Sequence, residues 1–75
     1  MNKVRRKEIA KAIELLEQAR EILESVRDDE QEAFDNMPES LQGSERGEAM
    51  EEYIYTLEEA IEAIDTDELQ EIVDG

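Results

Sequence analysis

The chain has 75 residues, 39 % hydrophobic and 41 % charged, with 23 Asp and Glu against 8 Lys and Arg for a formal charge of −15. With no Cys and no His, disulfides, Cys/His zinc sites, haem ligation and imidazole acid–base chemistry are excluded. One small helical domain, residues 1–75, is the most this length supports, and so small a core calls for self-association to reinforce it.

Charge is divided unevenly. Lys3, Arg5, Arg6, Lys7 and Lys11 crowd the start, interrupted only by Glu8; from Ala12 onward three cations, Arg20, Arg27 and Arg46, meet twenty-two carboxylates. This composition borders on the disordered regime, but apolar residues recur at helical spacing over two long segments, which favours folding. No run of about 18 apolar residues exists and no apolar stretch follows the basic start, so neither a membrane span nor a signal peptide is expected. The reading is a cytoplasmic protein.

The first predicted helix covers about 3–36 and, at 1.5 Å per residue, would be about 50 Å long. Ile9, Ala12, Ile13, Leu16, Ala19, Leu23 and Val26 form its expected core stripe. Leu15, Ile22, Val26 and Ala33 widen that stripe to about half the circumference, more than one partner helix covers. Leu15, Ile22 and Val26 are therefore the candidate dimer interface. Between Arg27 and Glu32 six polar residues run together, and Asp29 with Glu32 has capping-box spacing, so a break there is an alternative to a continuous helix.

A turn is expected over 37–44. Pro38 disfavours helical geometry at Met37, Gly43 permits a positive φ, Ser40 or Ser44 can cap the next helix, and Met37 and Leu41 fold back over the tip. The second helix, about 45–64, gathers Met50, Tyr53, Ile54, Leu57, Ala60, Ile61 and Ile64 on one face. Beyond Ile64 the apolar phase changes at Leu69, Ile72 and Val73, and Asp65 to Glu68 has capping-box spacing, so a short helix is expected over about 67–74. The expected fold is all-α: an antiparallel helical hairpin with a short third C-terminal helix, dimerising into a four-helix bundle.

In a hairpin the basic start lies beside the acidic end that carries Asp65, Asp67, Glu68, Glu71 and Asp74. Two readings stand: exposed pairs that neutralise the two ends, or an anion-binding patch of Arg5, Arg6, Lys7 and Lys11. Cations at a helix start oppose the macrodipole, which leans toward an anionic occupant.

The carboxylates at Glu14, Glu17, Glu21, Glu24, Asp28, Asp29, Glu51, Glu52, Glu58, Glu59 and Glu62 are spaced every three or four residues. They are either a solvated face or an imitation of the regular charge of duplex nucleic acid that would occupy basic clefts. Direct nucleic-acid binding by this face is opposed by repulsion. No Asp/Glu spacing matches a calcium loop, and a two-helix hairpin has no cleft to desolvate a catalytic carboxylate. Neither a cofactor nor catalysis is expected. Tyr53 is expected in the core with its hydroxyl at the rim; Tyr55, about 160° from the stripe, is either covered by the third helix or an exposed anchor. Arg20 and Arg27, at the stripe's edge, are expected to reach carboxylates of the second helix.

The segment Glu32-Ala33-Phe34-Asp35-Asn36-Met37-Pro38-Glu39-Ser40-Leu41-Gln42, then Ser44-Glu45-Arg46 and Met50 through Ile61, resembles short acidic helical proteins of phages and prophages of Gram-positive bacteria. The resemblance covers the latter half of the chain and implies a phage accessory role, such as inhibiting a host defence or nucleic-acid machine in the bacterial cytoplasm. The turn in this resemblance, with Pro38 and Leu41, either fixes the hairpin or is itself a contact surface; Tyr55, Glu51, Glu52, Glu58 and Glu59, from the acidic face of the second helix, are the other candidate partner contacts.

Three functions remain in view. The first is a non-catalytic interaction module, a dimer that docks its acidic face or turn on a basic host protein with strong salt dependence. The second is an oligomer that sequesters a nucleotide-like anion between Arg5, Arg6 and Lys7 of neighbouring protomers, with Tyr53 or Tyr55 stacked on its base. The third is a structural assembly component, marked by open-ended oligomers.

Overall fold

Asn2 starts the first helix: its side-chain carbonyl accepts from the Arg5 N–H at 2.8 Å. Helix α1 then runs unbroken over Lys3–Asp35 in the computed structural model, which describes residues 1–75. The polar run at Asp28-Asp29-Glu30 does not interrupt it. At its end the Asn36 N–H bonds the Glu32 carbonyl at 3.0 Å, and Gln42 Nε2 donates to the carbonyls of Phe34 and Met37 at 3.2 Å each. That amide takes the place of the cationic side chain often found there, since the last turn of α1 holds no basic residue.

The connection contains a four-residue helical turn, α2 (Glu39–Gln42), begun by Pro38 at φ −56°. Gly43 does not use the positive φ that it permits; its φ is −85°. Successive right-handed turns make up the connection instead, with Leu41 N–H bonded to the Pro38 carbonyl at 2.8 Å and Ser44 N–H to the Leu41 carbonyl at 3.1 Å. Ser44 then caps α3 (Glu45–Ala63) by accepting from the Gly47 N–H at 3.4 Å. The glycine that matters is Gly47, where an added Cβ would lie 2.1 Å from the Gln42 carbonyl oxygen. The first turn of α3 can seat against α2 only without a side chain there.

Helix α4 covers Asp67–Asp74. Its cap differs from the expected box: Asp65 Oδ1 accepts from the Asp67 N–H, two residues on, at 3.0 Å, and Glu68 takes no part. This is an Asx turn, a bond that a short acidic side chain makes more readily than a reciprocal box. Thr66, between the helices, is buried.

The molecule is all-helical and extended, 58 Å long and 13 to 14 Å across. Both α3 and α4 pack on α1. Gln42 meets Phe34 near the end of α1, Arg20 at the middle of α1 bonds the Ile64 carbonyl, and Val73 of α4 lines one hollow with Lys3, Arg6, Lys7 and Ala10. The large apolar side chains that become buried are Ile13, Met50 and Ile54, and no side chain is fully enclosed.

The inward seam of α1 is narrower than the expected stripe. Ile9, Ile13, Leu23 and Phe34 turn inward, whereas Ala12, Ala19 and Val26 are exposed. Arg6, Arg20 and Arg27 occupy inward positions instead, half-buried. The cause is periodicity. Positions 6, 13, 20, 27 and 34 repeat every seven residues, and the apolar set 12, 15, 19, 22, 26 and 33 repeats one residue earlier, about 100° round the helix. The helices α3 and α4, following one another along α1, can cover one such seam, and arginine stems fill the gaps in it.

Candidate functional site

Carboxylates from two helices meet at the centre of the rod. Glu17 and Glu24, two turns apart on α1, share an open groove of about 520 Å³ with Glu62 of α3 and with Asp65 and Asp67 beyond it. Arg20 is its one cation, held by the Ile64 carbonyl and by Glu24 at 3.7 Å. A second groove of about 600 Å³ on α3 is lined by Glu48, Glu51, Glu52, Tyr55 and Thr56. Glu58 and Glu59 are exposed further along the same helix. The local cause is simple: acidic residues spaced three, four or seven apart fall on one side of a helix.

Tyr55 stands out of this acidic surface, 63 % exposed, and α4 does not cover it. Its phenol is held above the ordinary tyrosine range, chiefly by hydrogen bonding to Glu59, then by local desolvation and by the charge of Glu62. Tyr53 departs from its expected place: it is 59 % exposed, not part of the core, because it precedes the inward-facing Ile54 by one residue. Pro38 is exposed at the connection and Leu41 half-exposed. Leu15 is 57 %, Ile22 64 % and Val26 48 % exposed, all on α1.

The basic start is not neutralised by α4. The two ion pairs, Arg20–Glu24 and Arg27–Asp28 at 3.1 Å, both lie within α1. Helix α4 turns Leu69 and Val73 inward and leaves Asp67, Glu68, Glu71 and Asp74 exposed. Arg5, Lys7 and Lys11 are likewise exposed, while Arg6 is half-buried with its Nε enclosed and without an acceptor. Lys3, Arg6, Lys7, Ala10 and Val73 line a hollow of about 340 Å³ there. Arg20 and Arg27 do not reach carboxylates of α3 as expected. The first finds a main-chain carbonyl and Glu24 of its own helix, and the second its neighbour Asp28.

No three carboxylates converge as a metal-binding group, and no helix is long and apolar enough to cross a membrane. What sequence reasoning missed is the grouping of Glu17 and Glu24 with Glu62 and Asp65, together with the structural parts of Gln42 and Thr66. The seven-residue interval between Glu17 and Glu24 is the available signal for the first; nothing local marks the others. Set against known protein families, curated proteins and solved structures, the chain matches none.

Proposed function

We propose that this chain is a non-catalytic interaction module that offers an acidic face to a basic protein, and that its rod is an antiparallel helical hairpin ended by a short helix. The hydrogen bonds of Gln42 to Phe34 and of Arg20 to Ile64, and the hollow that Lys3 shares with Val73, support the hairpin, because they follow in reverse order along the two arms.

Sidedness then comes from helix geometry. Reversing a helix reverses the sense of its 100° step, so the residue after each inward position points to the same side on both arms. After Ile13, Arg20, Leu23 and Arg27, and after Leu16 at the exposed edge of that seam, come Glu14, Glu21, Glu24 and Asp28, and Glu17; after Met50, Ile54, Leu57 and Ile61 come Glu51, Tyr55, Glu58 and Glu62. One side is therefore a carboxylate surface with a single aromatic projecting from it. The observation that carries the reading is the groove in which Glu17 and Glu24 of α1 lie beside Glu62 of α3.

Regular charge on a stiff rod attracts a basic cleft at long range and orients it, while Tyr55, on two rotatable bonds, supplies a contact of low entropic cost. An accessory role in which the module blocks a basic nucleic-acid-handling or defence protein of a bacterial host fits that chemistry. Pairing of two hairpins into a four-helix arrangement belongs to the same proposal.

Titration of the protein with poly-lysine as a basic probe, at about 0.01 M and about 1 M salt, tests it, since the Debye length falls from about 30 to 3 Å across that range. Steep loss of binding with salt, and weaker binding by Tyr55→Ala or by Glu58→Gln with Glu62→Gln, is expected. Binding that ignores salt contradicts the reading.

A second reading rests on the hollow at the basic start, where Arg6 Nε has no acceptor. There a phosphate of a nucleotide-like anion would complete the guanidinium. Calorimetry with inorganic phosphate and with a nucleoside triphosphate separates it from the first.

A further inference from the structure

The side of the rod opposite the carboxylates is apolar on both arms. Residues preceding the inward positions are Ala12, Leu15, Ala19, Ile22 and Val26 on α1 and Ala49, Tyr53, Thr56 and Ala60 on α3, Thr56 being the one polar member, and the large apolar ones among them are about half or more exposed. We infer that this face binds a second copy of the chain with the two α1 helices antiparallel and in direct contact, so that the basic start of each lies over the acidic Asp28–Asp35 stretch of the other. The inference rests on the hairpin reading and adds the occupant, its direction and its register.

Charge decides the occupant and its direction. Over residues 3–11 α1 carries five cations and one carboxylate, and over 28–35 it carries five carboxylates and no cation. No ion pair within the chain uses the cations of the first stretch. Parallel α1 helices would set cations against cations and carboxylates against carboxylates; the antiparallel pair sets opposite charges together twice, once at each end of a two-fold.

Spacing and charge together set the register. In an antiparallel pair, positions repeating as 12, 19, 26 mesh with positions repeating as 15, 22. That seats Leu15 on the partner's Val26 and Ala19 on the partner's Ile22. It also carries Lys11 to the level of the partner's Glu30. Small Ala12 and Ala19 alternating with bulky Leu15 and Ile22 let the backbones approach closely.

Because the chain has no cysteine, introduced thiols report the pairing alone. Leu15→Cys and Val26→Cys, made in the full chain, are mixed, oxidised and separated by mass. The Leu15→Cys to Val26→Cys cross-link should exceed both self-links several-fold. Dominant Leu15→Cys self-links, or no link between α1 helices in a protein that is still dimeric, overturn the antiparallel arrangement.

Leu15→Glu should weaken dimerisation on the order of a hundredfold, because the change falls twice in one interface. A dimer unaffected by Leu15→Glu overturns the assigned face, and circular dichroism of each variant verifies that the helices persist. A wild-type monomer overturns the pairing yet leaves poly-lysine binding to be read independently, so the two failures are distinguishable.

Discussion

Arg20 Nη1 donates to the carbonyl of Ile64 at 3.1 Å, so a cation from the middle of α1 closes the end of α3. The last turn of α3 contains no basic residue, and the macrodipole there favours positive charge. Between Ile64 and Asp67 the second arm leaves and re-enters helix, and the bond from Arg20 fixes the place where it does so.

Replacing Arg20 with Met keeps the aliphatic stem and removes the bond. We expect a loss of about 1–2 kcal/mol in urea unfolding, the range for a charge-assisted bond to a half-exposed carbonyl. Arg27→Met, whose partner is the exposed neighbour Asp28, should change stability by less than about 0.5 kcal/mol. Equal effects from the two substitutions would contradict the distinct part assigned to Arg20.

Gly47→Ala places a methyl 2.1 Å from the Gln42 carbonyl oxygen and 2.8 Å from that of Leu41. Main-chain atoms cannot swing aside, so α2 must move. The expected cost is about 2–3 kcal/mol, with faster amide exchange in 39–44. Gly43→Ala, open on all sides with φ −85°, should be neutral or slightly stabilising. Reversed outcomes would mean the connection is built differently.

Arg6→Met tests the enclosed guanidinium. Its Nε has no acceptor, and removing an unpaired buried donor relieves a desolvation cost. The melting temperature should stay or rise, whereas any affinity for inorganic phosphate should vanish. A drop in stability greater than about 1 kcal/mol would show that Arg6 holds α4 through its charge.

Tyr55 provides a pH marker. Its phenol titrates above the usual 10.0 with Glu59 as the leading cause, so the neutral form is the one the folded surface favours. That preference is present below pH 10 and is lost as pH rises through the raised value. In a Tyr53→Phe background, ultraviolet titration should place the single phenol above 10, and Glu59→Gln should bring it back toward 10. A midpoint unmoved by Glu59→Gln rules out that cause.

The helical periodicity of both arms and the phase change past Ile64 are legible in the sequence, because hydrophobic spacing is a local signal. Which of two adjacent stripes on α1 turns inward is not. Ala12, Ala19 and Val26 are as apolar as a core needs, and the competing seam contains Arg6, Arg20 and Arg27, whose buried stems a residue-type reading treats as polar. The same one-residue ambiguity displaces Tyr53. Gly43 shows another limit: glycine permits a positive φ without requiring it, and Pro38 with Ser44 closes the turn by right-handed steps. At the candidate site the individual carboxylates are plain, but their convergence across Glu17, Glu24 and Glu62 depends on how two helices register.

The pairing proposed for this rod covers its apolar side with a second copy and leaves its acidic side free. Light scattering at micromolar concentration and moderate salt measures this most directly. A single species of twice the 8.7 kDa chain mass is expected, falling toward one chain mass in Leu15→Glu with helicity retained. A wild-type particle of one chain mass, fully helical and with Leu15, Ile22 and Val26 left in water, would contradict it.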